Sequence, residues 1–320
     1  MVSAAGQSLP RAVRVREVGP RDGFQNEPET IATERKVELI DALARTGLRR
    51  LEVTSFVRAD VIPQLADASE VLARITVPEQ VAISVLIPNE RGLDTALELR
   101  ERLSAEAPPR RSAFDEVNVF MSASETHNRK NVNRSIAESL AGLQKVLGRA
   151  REAGLGCEAV ISTSFGCPYE GHVAPSRVLE IAAALRDAGA QEIGFGDTTG
   201  MANPRQVREF FSVAKSTLAE VELTAHFHNT RGQGLANVLA ALEVGVESFE
   251  SSFGELGGCP VPAGATGNIA SEDLISMLHE MGIETGVDLP ALLACARRAQ
   301  EILARPLGSH TLVAGPVDWR

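Results

Sequence analysis

Cysteine is scarce. The 320 residues hold four, Cys157, Cys167, Cys259 and Cys295, and no two of them form a CxxC pair. So few thiols exclude a disulfide-built scaffold and fit a reducing compartment. No apolar run approaches the ~18 residues of a membrane span, and the opening MVSAAGQSLPRAVRVR lacks the hydrophobic segment of a secretory signal. The chain therefore reads as cytoplasmic. Basic residues are outnumbered, 32 Lys and Arg against 42 Asp and Glu, for a net charge of −10. Nucleic-acid and membrane-surface proteins carry the opposite balance, so any anionic ligand must be met by a local cluster of Arg, Lys, metal or backbone N–H. Also missing is a GxGxxG after the first strand-like run, which removes the dinucleotide fingerprint.

What is present is globular: 44% hydrophobic, 23% charged, mean hydropathy −0.02, with length enough to bury a large core. β-Branched runs begin near Val13, Arg49, Val81, Asp115, Gly156, Gln191, Val221 and Val246, between 25 and 41 residues apart. Stretches of helical period lie between them. Val37, Ile40, Leu43 and Ala44 make one apolar stripe after Thr30 or Thr33 as cap, with Gly47 as a left-handed stop; Leu235, Val238, Leu239 and Leu242 make another, closed by Gly245. Eight such units predict an α/β fold, a (β/α)8 TIM barrel with a Gly-rich lid loop after the eighth strand and an additional C-terminal helix over Leu289–Leu303. A doubly wound sheet is the alternative. Residues 1–12 read as a flexible tail, 13–303 as the barrel domain and 304–320 as a C-terminal tail.

In a barrel the chemistry sits where strands end at the C-terminal face. His226 and His228, spaced i, i+2 on a strand, leave on the same face, and two such imidazoles can share a metal ion. Asp22 after the first strand and Asn268 after the eighth stand at neighbouring ends. With no thiolate in the set, its N/O ligands point to Mg2+ or Mn2+ with positions open for substrate oxygens. Arg21 is either a salt-bridge partner across the mouth or a permanent cation for an enolate oxygen. Glu52, inside the apolar Leu51-Glu52-Val53, needs a partner, and Arg21 is the one at hand; Glu52 is then a counter-ion or a proton shuttle. Cys259, among glycines 254, 257, 258, 264 and 267, is a candidate general acid on a lid or simply a small residue in a tight loop. His127 and His172 fall on loops of the same face, whereas His279 and His310 read as surface residues.

These motifs resemble a known family. VREVGPRDGFQNEP at Val15–Pro28 is similar to the opening of the 3-hydroxy-3-methylglutaryl-CoA lyases, within the metallolyase barrels, and LEVTSFVRADVIPQLAD, SASETHNRKNVNRSIAES, GCPYEG, GDTTG, AHFHNTRGQGLAN and GELGGCPVPAGATGN follow in that family's order. The resemblance implies a retro-Claisen cleavage of an acyl-CoA substrate, with Asp22, His226, His228 and Asn268 on the metal. It makes Arg21 the group polarising the thioester carbonyl, Glu52 its support and Cys259 the lid thiol, with His226 and Asp197 assisting proton transfer. It also implies a homodimer. The basic cluster of Arg129, Lys130 and Arg134 is expected at the nucleotide end of CoA, with Asn131 near the pantetheine; the alternative is a solvated helix start.

Two departures bear on the substrate. The family reads His-Asp-Thr-Tyr where this chain has His228-Asn229-Thr230-Arg231, and Val160 stands in place of a pocket tyrosine. A citramalyl-CoA or another branched 3-hydroxyacyl-CoA is therefore an alternative substrate. A condensing synthase of the isopropylmalate synthase type and a silent binding barrel are the rival functions. Only about 30 residues follow the last barrel helix and the GGCP lid motif is present, which favours the lyase over the synthase. Arg21, the metal ligands and Cys259 are all retained, which speaks against silence.

Overall fold

The computed structural model describes residues 9–105, 113–258 and 266–319. Eight strands, β1 (Arg14–Glu17), β2 (Arg50–Ser55), β3 (Ala82–Leu86), β4 (Glu116–Ser122), β5 (Gly156–Ser162), β6 (Glu192–Asp197), β7 (Glu222–Phe227) and β8 (Ser248–Ser251), close into one barrel in chain order. Every pairing is parallel, including that of β8 with β1. The eight strand-like runs of the sequence thus become the eight staves, and the doubly wound alternative falls.

Helices α1 (Thr33–Leu43), α2 (Ala68–Arg74), α3 (Glu90–Ser104), α4 (Glu125–Val132), α5 (Ile136–Glu152), α6 (Pro175–Asp187), α7 (Pro204–Thr217) and α8 (Gly234–Glu243) fill the crossovers, followed by α9 (Ser271–Glu280), α10 (Leu289–Leu303) and α11 (His310–Ala314). Helix α5 starts on a capping box, Ser135 and Glu138 satisfying each other's backbone N–H groups. Helix α1 does not start as the sequence suggested. Its N-cap is Ala32, without a side-chain cap, and the Thr33 hydroxyl donates to Asp67 Oδ2 at 2.8 Å. Lys36 is buried on the same face, its amine 2.7 Å from Asp67 Oδ1, because that carboxylate meets the ammonium beneath the helix. Gly47 does stop the segment with φ +94°.

The staves have unlike faces. The outward face is apolar: Phe195 and Phe227 pack with Phe165, Phe210 and Phe211, the Phe195–Phe210 ring centroids lying 4.8 Å apart edge-on. Burying one such ring stabilises by roughly 1.5–3 kcal/mol, so this cluster fixes β6 and β7 firmly against α7. The inward face is polar. Arg16, Arg50 and Arg21 there pair with Asp22, Glu52, Glu116, Glu158, Glu192 and Glu250, three more negative charges than positive.

The segment beyond α10 is packed down. Leu307 and Ser309 are buried, Gly308 N–H donates to Gly254 C=O at 3.1 Å, and Asp273 accepts from Ser309 Oγ and from the backbone of His310 and Thr311 at 2.7–3.0 Å. These contacts tie α11 to α9 and to the base of the Gly-rich loop.

Candidate active site

After β1 the chain makes one wide helical turn, Gly19–Gly23, in which Val18 C=O accepts from the N–H groups of both Arg21 and Asp22. That turn aims two successive side chains at the barrel mouth. Arg21 reaches β2, its Nε and Nη2 lying 2.7 and 2.6 Å from Glu52 Oε2, while Nη1 donates to Asp22 Oδ1 at 2.7 Å. Glu52 Oε1 accepts from Asn118 Nδ2 of β4 at 2.9 Å. Gln25 Nε2 also donates to Asp22 Oδ1, at 2.7 Å.

His226 and His228 end β7 on the same side, their Nε2 atoms 3.1 Å apart. Asn268 is brought beside them by the chain's return from the Gly-rich loop: residues 267–269 pair with the end of β7, Ile269 N–H donating to Phe227 C=O and Asn229 N–H to Gly267 C=O. Asn268 Nδ2 then donates to Asp22 Oδ2 at 2.7 Å and to Leu256 C=O at 3.0 Å. Gly257, at φ +94°, lets the backbone pass close by; a Cβ there would lie 2.6 Å from Asn268 Nδ2.

Asp22, His226 and His228 offer ligand atoms all within 4.8 Å of one another. Asn268 Oδ1 and His228 Nδ1 are buried without a hydrogen-bond partner among the described residues. A buried acceptor oxygen with no donor costs about 1–3 kcal/mol, and a cation beside Asp22 and the imidazoles would satisfy it. Nitrogen and oxygen donors with no thiolate fit a hard or borderline divalent ion, which would also offset two of the three surplus negative charges in the barrel.

The electrostatics follow from burial and neighbours. Burial opposes the charge on Asp22, yet Arg21, His226, His228 and Asn268 together hold its carboxyl below the usual range. Burial lifts Glu52 in spite of Arg21. Burial and the neighbouring His226 depress His228 to about 3. Asp197, at the end of β6, is raised by burial to about 6; its Oδ1 accepts from the N–H groups of Met201 and Ala202 at 2.7 and 3.0 Å, and its Oδ2 has no partner among the described residues.

Other expected residues lie further out. Arg129 and Lys130 are on α4 at the rim, Arg129 paired with Glu125 at 2.8 Å and the Lys130 amine 4.9 Å from the centre of the Tyr169 ring. Asn131 shares that helix. His127 is on α4 rather than a loop and is buried, its ring 6.2 Å from that of Tyr169; His172 is exposed. Cys167 is buried, its thiol 3.0 Å from Ser124 Oγ. Val160 faces inward, only half-buried, beside Gly194. Cys259 lies outside the described residues. Sequence alone does not mark three polar groups of the mouth, Asn118, Gln25 and Glu250, although Asn118, between the apolar Val117 and Val119, carries a signal of the kind that singles out Glu52.

Fold and site together define a (β/α)8 barrel enzyme with a carboxylate–imidazole centre at its C-terminal mouth. Residues 12–298 match the HMGL-like family model. The chain is 45% identical over 303 residues to hydroxymethylglutaryl-CoA lyase YngG of Bacillus subtilis, covering 95% of this chain and 97% of that one. It is 43% identical to the cytoplasmic 3-hydroxy-3-methylglutaryl-CoA lyase of Danio rerio, covering 88% of this chain and 80% of that relative. The solved HMG-CoA lyase of Acinetobacter baumannii, in complex with coenzyme A and 3-methylmalate, superposes with a TM-score of 0.88 at 38% identity over 98% of both chains. The chain belongs to the hydroxymethylglutaryl-CoA lyase family.

Proposed function

We propose that the protein cleaves 3-hydroxy-3-methylglutaryl-CoA to acetyl-CoA and acetoacetate, with Mg2+ or Mn2+ held by Asp22, His226, His228 and Asn268. The reaction is the one for which its relatives are named. The observation that carries the reading is the cluster of Asp22, His226 and His228, whose ligand atoms lie within 4.8 Å of one another, with the Asn268 amide nitrogen 2.7 Å from Asp22 Oδ2 and Asn268 Oδ1 without a hydrogen-bond partner among the described residues. When bound, the cation supplies Lewis-acid polarisation of the substrate oxygens and a template for chelating them.

The chain's own groups divide the remaining work. Asp197, whose Oδ2 has no partner among the described residues, accepts the proton of the 3-hydroxyl. The C2–C3 bond then breaks, its electron pair passing into the thioester as an enolate. A guanidinium has five N–H donors; Arg21 commits three to Glu52 and Asp22, leaving two for the enolate oxygen. Glu52, held by Asn118, acts as the counter-ion that keeps Arg21 in place. Cys259 returns a proton to the enolate carbon. With Nδ1 facing Glu250 and Nε2 facing His228, His226 serves as a ligand. The exposed face of Arg129, Lys130 and Asn131 takes the phosphate end of CoA. No described helix is long and apolar enough to cross a membrane, and the cytoplasm, named for the Danio rerio relative, is the compartment we assign.

The test is incubation of Mg2+- or Mn2+-loaded protein with a panel of 3-hydroxyacyl-CoAs, including citramalyl-CoA, with acetyl-CoA release as readout. Release from the 3-hydroxy-3-methylglutaryl thioester is expected. Preference for citramalyl-CoA would move the substrate, and release from none would sink the lyase reading.

A further inference from the structure

The inward face of β8 carries a buried acid for which the reaction above has no use. Glu250 is the register partner of Arg16 on β1 and of His226 on β7, so the three stand side by side on one rung of the barrel wall. Glu250 Oε2 lies 2.8 Å from His226 Nδ1, and Glu250 Oε1 accepts from Arg16 Nη1 at 3.1 Å. Glu250 and Arg16 are each 2% exposed. Arg16 is in turn held by Glu192, Glu158 and Glu116.

An imidazole has two chemically distinct nitrogens, and the partner of one decides what the other offers. His226 turns Nε2 toward Nε2 of His228, which with Asp22 makes up the rest of the cluster. If Nδ1 donates its hydrogen to a carboxylate, the lone pair stays on Nε2. We infer that Glu250 is a positioning residue: it fixes His226 as the Nδ1–H tautomer and presents Nε2 to the divalent cation, while Arg16 pins the far oxygen of Glu250. This rests on the metal reading of the site.

The chemistry of substitution makes the inference sharp. In Glu250→Gln the single amide oxygen is claimed by Arg16, which can only donate. The amide NH2 must then face His226 Nδ1, so Nδ1 becomes an acceptor and the hydrogen moves to Nε2, blocking the lone pair. Glu250→Asp keeps two acceptor oxygens and the charge.

The experiment titrates the metal-free full-length protein with Mn2+ by calorimetry and records its unfolding midpoint in parallel. Loss of an outer partner of this kind costs roughly 10- to 100-fold in metal affinity. That loss is expected for Glu250→Gln with the metal-free unfolding midpoint unchanged, and Glu250→Asp is expected to bind more tightly than Glu250→Gln. Mn2+ affinity of Glu250→Gln within twofold of the parent overturns the inference. Absence of Mn2+ binding by the parent chain would instead overturn the metal reading itself. Because a buried substitution can prevent folding, a second measurement uses the unaltered protein: 15N spectra of the Mg2+-loaded enzyme should show His226 protonated at Nδ1, and protonation at Nε2 overturns the assignment.

Discussion

Arg21 Nη2 lies 2.6 Å from Glu52 Oε2, and the Glu52 side chain is wholly shielded from solvent. The pair is both the floor of the reaction centre and a buried ion pair whose members cannot be removed singly without a stability cost.

Arg21→Met should abolish acetyl-CoA release, a loss of at least ~100-fold for an enolate-stabilising donor. It should also destabilise the fold by about 3–5 kcal/mol, because Glu52 is left buried and uncompensated. The double variant Arg21→Met/Glu52→Gln should recover most of that stability and none of the turnover. Chemical denaturation alongside the release assay separates the two effects; near-normal turnover of Arg21→Met would refute the enolate role.

Gly257→Ala places a methyl group 2.6 Å from Asn268 Nδ2, in a backbone conformation at φ +94° that L-residues avoid. Mn2+ affinity and turnover should both fall by tenfold or more while thermal unfolding shifts by only a few degrees. An unaltered Mn2+ isotherm would show that the close approach has no bearing on the ligand cluster.

Burial raises Asp197 to about 6. A group that must accept a proton works only when ionised, so kcat/KM should fall as the pH drops through about 6. Asp197→Asn should lower turnover by ~100-fold or more and remove that limb from whatever activity is left. A pH profile of the variant parallel to the parent's would exclude Asp197 as the base.

Glu17 and Glu272 lie outside the barrel wall, beneath the roots of the Gly-rich loop. Glu17 accepts from Gly19 N–H, Phe253 N–H and Ser271 Oγ, and Glu272 from Gly254 N–H. Burial outweighs these bonds and raises the two carboxyls to about 7 and about 8. Their folded-state values exceed the unfolded ones, so the stability they confer is complete below about pH 4.5 and is lost as the pH climbs toward 8. Glu272→Gln should flatten the decline of the unfolding midpoint between pH 5 and pH 8. A slope as steep as the parent's would show that Glu272 does not titrate in that window.

The staves are legible because the β-branched runs recur at regular spacing with punctuation that is mostly glycine or proline, and the HFH spacing alone places two imidazoles on one face. The approach of Asn268 to Asp22 followed from barrel closure, since first and eighth strands must meet. The orientation of the acids was not legible. In a parallel barrel both faces of a strand are buried, so the period-2 contrast of an exposed sheet disappears. Glu247 and Glu250 in VESFESS look alike in sequence, yet one is exposed and the other is fully enclosed beside Arg16. The start of α1 departs from its sequence signal for a related reason: Thr33 is a good cap by type, but Asp67, distant in sequence, takes its hydroxyl.

Because Arg16, Glu250 and His226 share a rung, strand alignment and reactivity are one property of this molecule. Sliding β8 by a single residue would turn the carboxylate out toward the helices and drive Phe249 into the lumen. Such a chain could remain compact and helical yet be inert, so far-ultraviolet dichroism would pass as native a barrel that only a functional assay could reject.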